Sequence, residues 1–323
     1  MWRNDGDRFT DVTDQLPPDM LHGWTFQAAP IDADGDGDLD LYMANDFGAW
    51  LGPNRLLLND GSGRFTVAEE CYCDLTMFGM GAAVGDANGD GAPDLYVTNV
   101  GGPKLLVNLG DGTFVDSTLA LRADVPATER TMTSWGATFT DLDLDTRVDL
   151  AVMFGQLGDP EIMDEIGFPE DYVDGRVQDD QVLFGQPDGT FEARDVGWLT
   201  GEGRGRAVAA GDVNRDGVVD LVTTGKQFLR VWLGQGGCAG VTVALDDGAL
   251  NRQGVGARVD ATVGGRTVTH WMLPSTTGSS SAPEVYVGAG GRGFVERIVV
   301  TWPDGRTSTV TDVPVGTRRA LTP

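Results

Sequence analysis

Short apolar runs, rarely longer than five residues, recur along the first two thirds of the chain, separated by clusters of Gly, Asp and Asn. Small and apolar residues such as Gly81-Ala82-Ala83-Val84 or Gly136-Ala137-Thr138-Phe139 lead into an acidic stretch. Leu41-Tyr42-Met43, Leu95-Tyr96-Val97, Leu150-Ala151-Val152 and Leu221-Val222 follow the four such stretches. Runs of this length rich in β-branched and aromatic residues read as strands, so each acidic stretch joins two of them. Further on, Leu56-Leu57-Leu58 and Phe65 bracket Asn59-Asp60-Gly61-Ser62-Gly63, and the pattern returns at 105–114 and 182–191. Asp-Gly between apolar runs is a hairpin cue. The acidic stretches start at Asp32, Asp86, Asp141 and Asp212, spaced by 54, 55 and 71 residues. Four strands per repeat of that length predict an all-β fold, a β-propeller. Residues 2–9 match the outer hairpin with no inner strands before it, whereas the fourth repeat stops after 228–232. Either the two incomplete ends share one blade or an N-terminal piece is missing, and four to five blades are expected.

Residues 238–323 carry a different pattern: strands are predicted at 240–246, 255–263, 266–273, 284–288, 295–302 and 307–313, with a turn at Trp302-Pro303-Asp304-Gly305. Charge changes at the same place. The chain has 323 residues and a net charge of −26, from 23 Lys+Arg against 49 Asp+Glu. Residues 236–323 hold seven acids and eight arginines, so the first 235 residues carry −27. The break at Gly234-Gln235-Gly236-Gly237 divides the chain into a propeller, 1–234, and a small β-rich C-terminal domain, 235–323. Such acidity excludes a nucleic-acid partner, since phosphate recognition needs clustered Lys and Arg. Eight Trp and 13 Phe exclude disorder, and no apolar run is long enough to span a membrane.

Two histidines, His22 and His270, rule out a His-rich metal site. Cys71, Cys73 and Cys238 do not form a C-x-x-C motif and are read as buried or loop thiols with one bridge at most. The Ser/Thr stretch 275–281 is a loop with no nucleophile elbow. The first 30 residues show no secretory leader, so the chain is either cytosolic or a mature or trimmed form.

The acidic stretches superimpose as nonapeptides without gaps. The acids and amides are Asp32, Asp34, Asp36, Asp38 and Asp40; Asp86, Asn88, Asp90 and Asp94; Asp141, Asp143, Asp145 and Asp149; Asp212, Asn214, Asp216 and Asp220. Oxygens at positions 1, 3 and 5 turn toward one centre, and an Asp at position 9 can close the cage. Ca²⁺ takes 6–8 oxygen ligands, so the pattern points to about four Ca²⁺ ions. These are not EF-hands, because Met43, Val97, Val152 and Thr223 stand where a bidentate Glu belongs. Five aspartates in nine residues repel one another unless a dication neutralises them. The third loop, with Thr146 and Arg147 in place of Gly and a neutral residue, is expected to bind most weakly.

The residues that begin each innermost strand would surround the propeller's opening. Trp24, Phe26, Met80, Trp135, Arg204, Arg206 and Asp46 are the candidate ligand-binding set there, and His22, Arg204 and Arg206 are the candidates for catalysis. The insertion 156–180 and the connection 45–50 reach the same rim. Aromatics, arginines and acids converging on an opening suit a small molecule; alternatively Phe26, Met80 and Trp135 plug the ring.

The repeats resemble FG-GAP/VCBS repeats of the integrin α type, with Phe78-Gly79-Met80-Gly81-Ala82-Ala83 as the naming strand. Residues 251–259, 285–290 and 299–305, with Gly256-Ala257-Arg258-Val259 and Trp302-Pro303-Asp304-Gly305, resemble the ASPIC/UnbV domain. The resemblance implies calcium binding and a secreted or extracytoplasmic location, and it leaves the biochemical activity open. Three functions remain: a binding module for a protein, carbohydrate or small-molecule ligand; a metal-assisted lyase, isomerase or cyclase; or a structural part of a larger surface assembly, with the neutral C-terminal domain docking against the propeller.

Overall fold

Wherever apolar runs flank an acidic nonapeptide, the computed structural model holds an antiparallel strand pair; it describes residues 1–18, 20, 23–124, 132–157, 178–194, 196, 204–235, 239–248, 251–273 and 281–323. A two-stranded ribbon opens the chain, β1 (Trp2–Asn4) and β2 (Phe9–Asp11). The first full sheet is β3 (Trp24–Ile31), β4 (Asp40–Asp46), β5 (Arg55–Asn59) and β6 (Phe65–Val67), with a one-turn helix α1 (Gly48–Leu51) between β4 and β5. The second is β7 (Gly79–Gly85), β8 (Asp94–Asn99), β9 (Lys104–Asn108) and β10 (Phe114–Asp116). The third is β11 (Ser134–Thr140), β12 (Asp149–Phe154), β13 (Gln181–Gly185) and β14 (Phe191–Ala193). The fourth has three strands, β15 (Gly205–Gly211), β16 (Asp220–Gly225) and β17 (Phe228–Trp232).

Each sheet is paired in chain order from its first strand outward, and β3, β7, β11 and β15 pack side by side in that sequence. This is the blade arrangement of a β-propeller. Among the described residues the two incomplete ends do not share a sheet: β1 and β2 pair only with each other.

In the second and third sheets the apolar runs are continuous rather than alternating because both faces are buried, one against each neighbour. Leu95, Val97 and Leu106 face the first sheet, joining Ile31, Tyr42 and Leu56. Tyr96 and Leu105, one residue out of step, face the third sheet with Leu150, Val152 and Phe154. Small residues bring the inner strands close; a Cβ on Gly85 would lie 2.7 Å from Phe139 Cβ. Polar staples then fix the sheets to one another. Buried Gln27 donates through Nε2 to the Ala82 carbonyl and accepts from the Ala82 amide, both at 3.0 Å. Main-chain bridges Val100–Thr133 and Gly155–Arg204 join the next two pairs of sheets.

Cys71 and Cys73 form a disulfide behind the first sheet, where Tyr42 Oη donates to the Cys73 carbonyl. Cys238 and the loop 274–280 lie outside the described residues.

The C-terminal domain is a two-sheet sandwich. One sheet has the order β21 (Glu284–Gly288), β18 (Gly240–Leu245), β24 (Thr317–Leu321). The other runs β20 (Arg266–Trp271), β19 (Arg258–Val263), β22 (Phe294–Thr301), β23 (Thr307–Pro314). Their inner faces close around Trp302, whose Nε1 donates to Ser308 Oγ, with Val243, Val259, Val287 and Ile298. The sequence reading misses β24, which runs parallel to β18. Within β24 only Leu321 is buried, so no apolar stripe announces it.

Candidate functional site

The innermost strands carry two separate sets of candidates, because each begins at the aromatic rim and ends at an acidic loop. Along β3, Trp24 opens the strand and Ile31 hands over to Asp32, roughly 25 Å away at ~3.3 Å per residue.

At the loop end, the ninth-position aspartates share one role. Asp40, Asp94, Asp149 and Asp220 each start the second strand of their sheet and accept two backbone N–H bonds. One comes from the second residue of the loop: Ala33 at 2.9 Å, and Ala87, Leu142 and Val213 each at 2.8 Å. The other comes from the end of the third strand or just beyond it: Asn59, Asn108 and Gly234 at 2.8 Å, Gly185 at 2.9 Å. First-position aspartates fold the loop over themselves. Asp86 accepts from Gly89, Asp90 and Gly91; Asp141 from Asp145 and Thr146; Asp212 from Asp216 and Gly217.

The carboxylates at positions 1 and 3 converge most closely in two loops. Asp32, Asp34 and Asp36 each offer an oxygen within 4.8 Å of the others, as do Asp141, Asp143 and Asp149. Asp32 Oδ1 and Asp143 Oδ1 are buried with no hydrogen-bond partner. In the second and fourth loops the third position is an amide, and Asn88 and Asn214 donate to Asp90 and Asp216 at 2.7 and 2.8 Å. Asp38 is outside this cluster: its carboxylate lies against Gly61 of the hairpin, and its amide donates to Asp36 Oδ1. In the third loop Asp145 pairs with Arg147. Thr146 there adopts φ 83°, the left-handed turn that Gly37, Gly91 and Gly217 supply in the other loops.

Burial makes these charges costly. It raises the carboxyls of Asp40 and Asp86 to about 6, Asp149 to about 7 and Asp94 to about 8, and pushes Asp141 well above the ordinary range. Orphaned carboxylate oxygens in an all-oxygen donor set, half-buried in the first loop and largely buried in the third, fit a hard dication. Asp32, Asp34 and Asp36 in the first loop, and Asp141 and Asp143 in the third, are the residues placed to hold one.

At the rim, Met80 is buried with Phe78 and Val100, and Phe47, Trp135 and Leu157 pack against them. Phe47 is the hub of the rim aromatics: its ring lies 5.3 Å from exposed Trp24, 5.7 Å from exposed Trp50 and 5.8 Å from buried Phe78. Trp24 and Trp50 are about 60% exposed, at 62% and 61%, and Phe26 is 44% exposed. Asp46 is buried beneath them; burial raises its carboxyl, and it accepts from the Phe47 amide at 2.8 Å. Next to this cluster, the Arg206 guanidinium stacks 4.2 Å over Trp135 and donates to the carbonyls of Gly205 and Gln156. Trp135 Nε1 donates to the Gly155 carbonyl at 2.7 Å. Arg204 is exposed and reaches Gln227. His22 lies outside the described residues, as does 158–177 of the insertion.

Asp180 is a rim residue the sequence reading did not single out. Its Oδ1 accepts from the Phe154 amide at 2.8 Å, and burial raises its carboxyl to about 7. Burial likewise lowers Arg206 to about 10, against the pull of Asp180. As the last acid of an acidic insertion, Asp180 carried no distinguishing signal.

Comparison with known proteins follows this division. Residues 32–97 and 86–152 match the FG-GAP-like repeat, and 247–323 match the ASPIC and UnbV family. Cartilage acidic protein 1 of Homo sapiens is 29% identical over 142 residues, 41% of this chain and 21% of that protein. The Mus musculus protein is 28% identical over 142 residues, again 41% and 21%. The match therefore spans about a fifth of the length of these curated relatives. Similar solved structures include an Agrocybe aegerita lectin that recognises non-reducing terminal N-acetylglucosamine (TM-score 0.44, 20% identity, 72% of this chain and 56% of that one). Another is the SapL1 lectin in complex with α-methyl fucoside (TM-score 0.32, 10% identity, 93% and 86%).

Proposed function

We propose that this chain, an FG-GAP-repeat protein with a C-terminal ASPIC and UnbV domain, is a calcium-binding extracytoplasmic module that holds Ca²⁺ in its acidic loops and takes a ligand at the opposite, aromatic rim. The observation that carries the calcium reading is the pair of buried, unpartnered oxygens, Asp32 Oδ1 and Asp143 Oδ1, each inside a cluster of three carboxylates. A bound dication would supply the missing partner and offset the burial of the charges around it. The Cys71–Cys73 bridge supports an oxidising location, where disulfides persist. Among the described residues no helix is long and apolar enough to cross a membrane.

Ligand binding at the rim is supported by two exposed tryptophans seated on Phe47, beside the Arg206–Trp135 stack. An exposed cluster of aromatic rings meeting edge to face, with charged neighbours, suits a small molecule, a saccharide or a peptide side chain. The test has two stages. Metal analysis and calorimetry of chelator-stripped protein should show Ca²⁺ binding that Asp32→Asn and Asp143→Asn each weaken; metal-free protein that ignores added Ca²⁺ would end the calcium reading. A glycan and metabolite array probed in Ca²⁺ should then give hits that Trp24→Ala with Trp50→Ala abolishes.

The enzyme reading has one observation in its favour, a buried Asp180 carboxyl held by the Phe154 amide near the half-buried Arg206 guanidinium, burial raising the first to about 7 and lowering the second to about 10. Perturbed pairs of this kind mark functional sites. If array hits were converted by wild type and not by Asp180→Asn, that reading would replace the binding module.

A further inference from the structure

The C-terminal domain is built onto the face of the propeller that carries the acidic loops, and each loop meets it. Leu39 of the first loop packs beside Gly256, where an added Cβ would lie 3.4 Å from Leu39 Cδ1. Arg266 and Arg258 of the sandwich reach over Gly89 and Gly91 of the second loop; a Cβ there would stand 3.2 and 3.3 Å from the guanidinium nitrogens. At the fourth loop the Asp212 amide donates to Tyr286 Oη at 3.0 Å, and Tyr286 Oη donates in turn to Glu284.

The third loop makes the tightest junction. Gly290 N donates to the Leu144 carbonyl at 3.0 Å. Leu144 sits buried at φ 58° with its Cδ2 toward Gly240. Gly288 lies so close that an added Cβ would collide with Asp141 Oδ2 and stand 2.5 Å from the Leu144 carbonyl carbon. Glycine is needed at 288 for lack of space, since its φ is not among the left-handed ones. This is also the loop whose fifth-position carboxylate is taken by Arg147. Its shape between Asp141 and Asp145 is therefore held from outside, by the end of β21.

We infer that the third acidic loop and the C-terminal domain form one linked unit, in which cation binding by the loop and docking of the sandwich stabilise each other. The inference rests on the calcium reading above, and linkage makes it reciprocal: the factor by which docking tightens the cation is the factor by which the cation tightens docking. The neutral C-terminal domain thereby acts as a clamp on an acidic propeller, set by the divalent cation.

The experiment uses the full chain, stripped of metal and titrated with CaCl₂. Metal binding is read by calorimetry, and docking by protease cleavage of the connection between Trp232 and Gly240 together with the radius of gyration in solution. Wild type is expected to become protected and more compact over the Ca²⁺ range in which a site fills. Gly288→Ala should weaken one site at least tenfold and shift the Ca²⁺ needed for protection by the same factor. Asp143→Asn attacks the linkage from the propeller side and keeps the test alive if Gly288→Ala fails to fold. It should leave the connection cleavable in Ca²⁺, while Asp34→Asn in the first loop leaves protection intact. Wild type that binds no Ca²⁺ would remove the calcium reading and this inference together. Wild type that binds Ca²⁺ with cleavage and size unchanged would overturn the inference alone.

Discussion

At the residue scale, the ninth-position aspartates bear most directly on stability. Each spends both carboxylate oxygens on backbone amides from two different segments. Asp94, which is fully buried, fastens Ala87 and Asn108 to the head of β8. Removing it orphans two buried N–H groups at about 1–3 kcal/mol each. Asp94→Ala should therefore lower unfolding free energy by about 2–5 kcal/mol in denaturant titrations with chelator present, whereas the exposed Asp90→Asn should change it by under about 1 kcal/mol. Asp180 sets a pH dependence with a definite sign. Its carboxyl is raised by burial to about 7, so the folded state favours the neutral form. That contribution is fully present below the ordinary carboxyl range near 4 and is lost as pH rises through about 7. Melting curves from pH 5 to 8 should show wild type losing several degrees more than Asp180→Asn; equal slopes would reject the assignment. The repeat made the ninth-position acids visible in the sequence as a set. Half of their employment was hidden, because one of the two amide partners of each stands 14 to 36 residues further along the chain.

At the element scale, the strands were legible where burial is two-sided. Leu95-Tyr96-Val97 and Leu105-Leu106-Val107 could hardly be anything but strands of a packed sheet, and they are β8 and β9. β24 left no trace, because three of its five residues are exposed and its place is set by pairing with β18. The rim is legible only in part: the sequence groups Met80 and Trp135 with Trp24 and Phe26, yet Met80 is buried packing and Trp24 is exposed. Alternation tells which residues share a face, not which face a neighbouring sheet covers. Gln27 was not anticipated at all, since a polar residue in an inner strand carries meaning only once the Ala82 backbone is opposite it. Gln27→Leu should cost about 2–5 kcal/mol by leaving both that amide and that carbonyl unpaired. Hydrogen exchange at the Ala82 amide should accelerate selectively; a uniform change across the protein would argue against a local staple.

At the scale of the whole molecule, the charge divides where the architecture does. The propeller portion holds all the excess acid, while the sandwich contributes Arg258 and Arg266 to the loop-bearing face. Two effects could stabilise such a molecule on adding CaCl₂: screening of repulsion, which any salt provides, and occupancy of sites. Occupancy adds about 1.4 kcal/mol per site at tenfold excess over Kd. Raising Ca²⁺ at fixed ionic strength should thus raise the melting temperature by several degrees, with Mg²⁺ much less effective because it demands a tighter octahedral shell. An equal response to NaCl would assign the effect to screening.

The aspartate staple also constrains the order of events during folding. The second residue of each nonapeptide and the end of that blade's third strand hang on one carboxylate, so the nonapeptide cannot take its final shape until that strand has arrived. A cation would then meet a finished blade instead of nucleating one. Stopped-flow traces should accordingly show Ca²⁺ slowing the escape from the native state while leaving the refolding rate almost untouched.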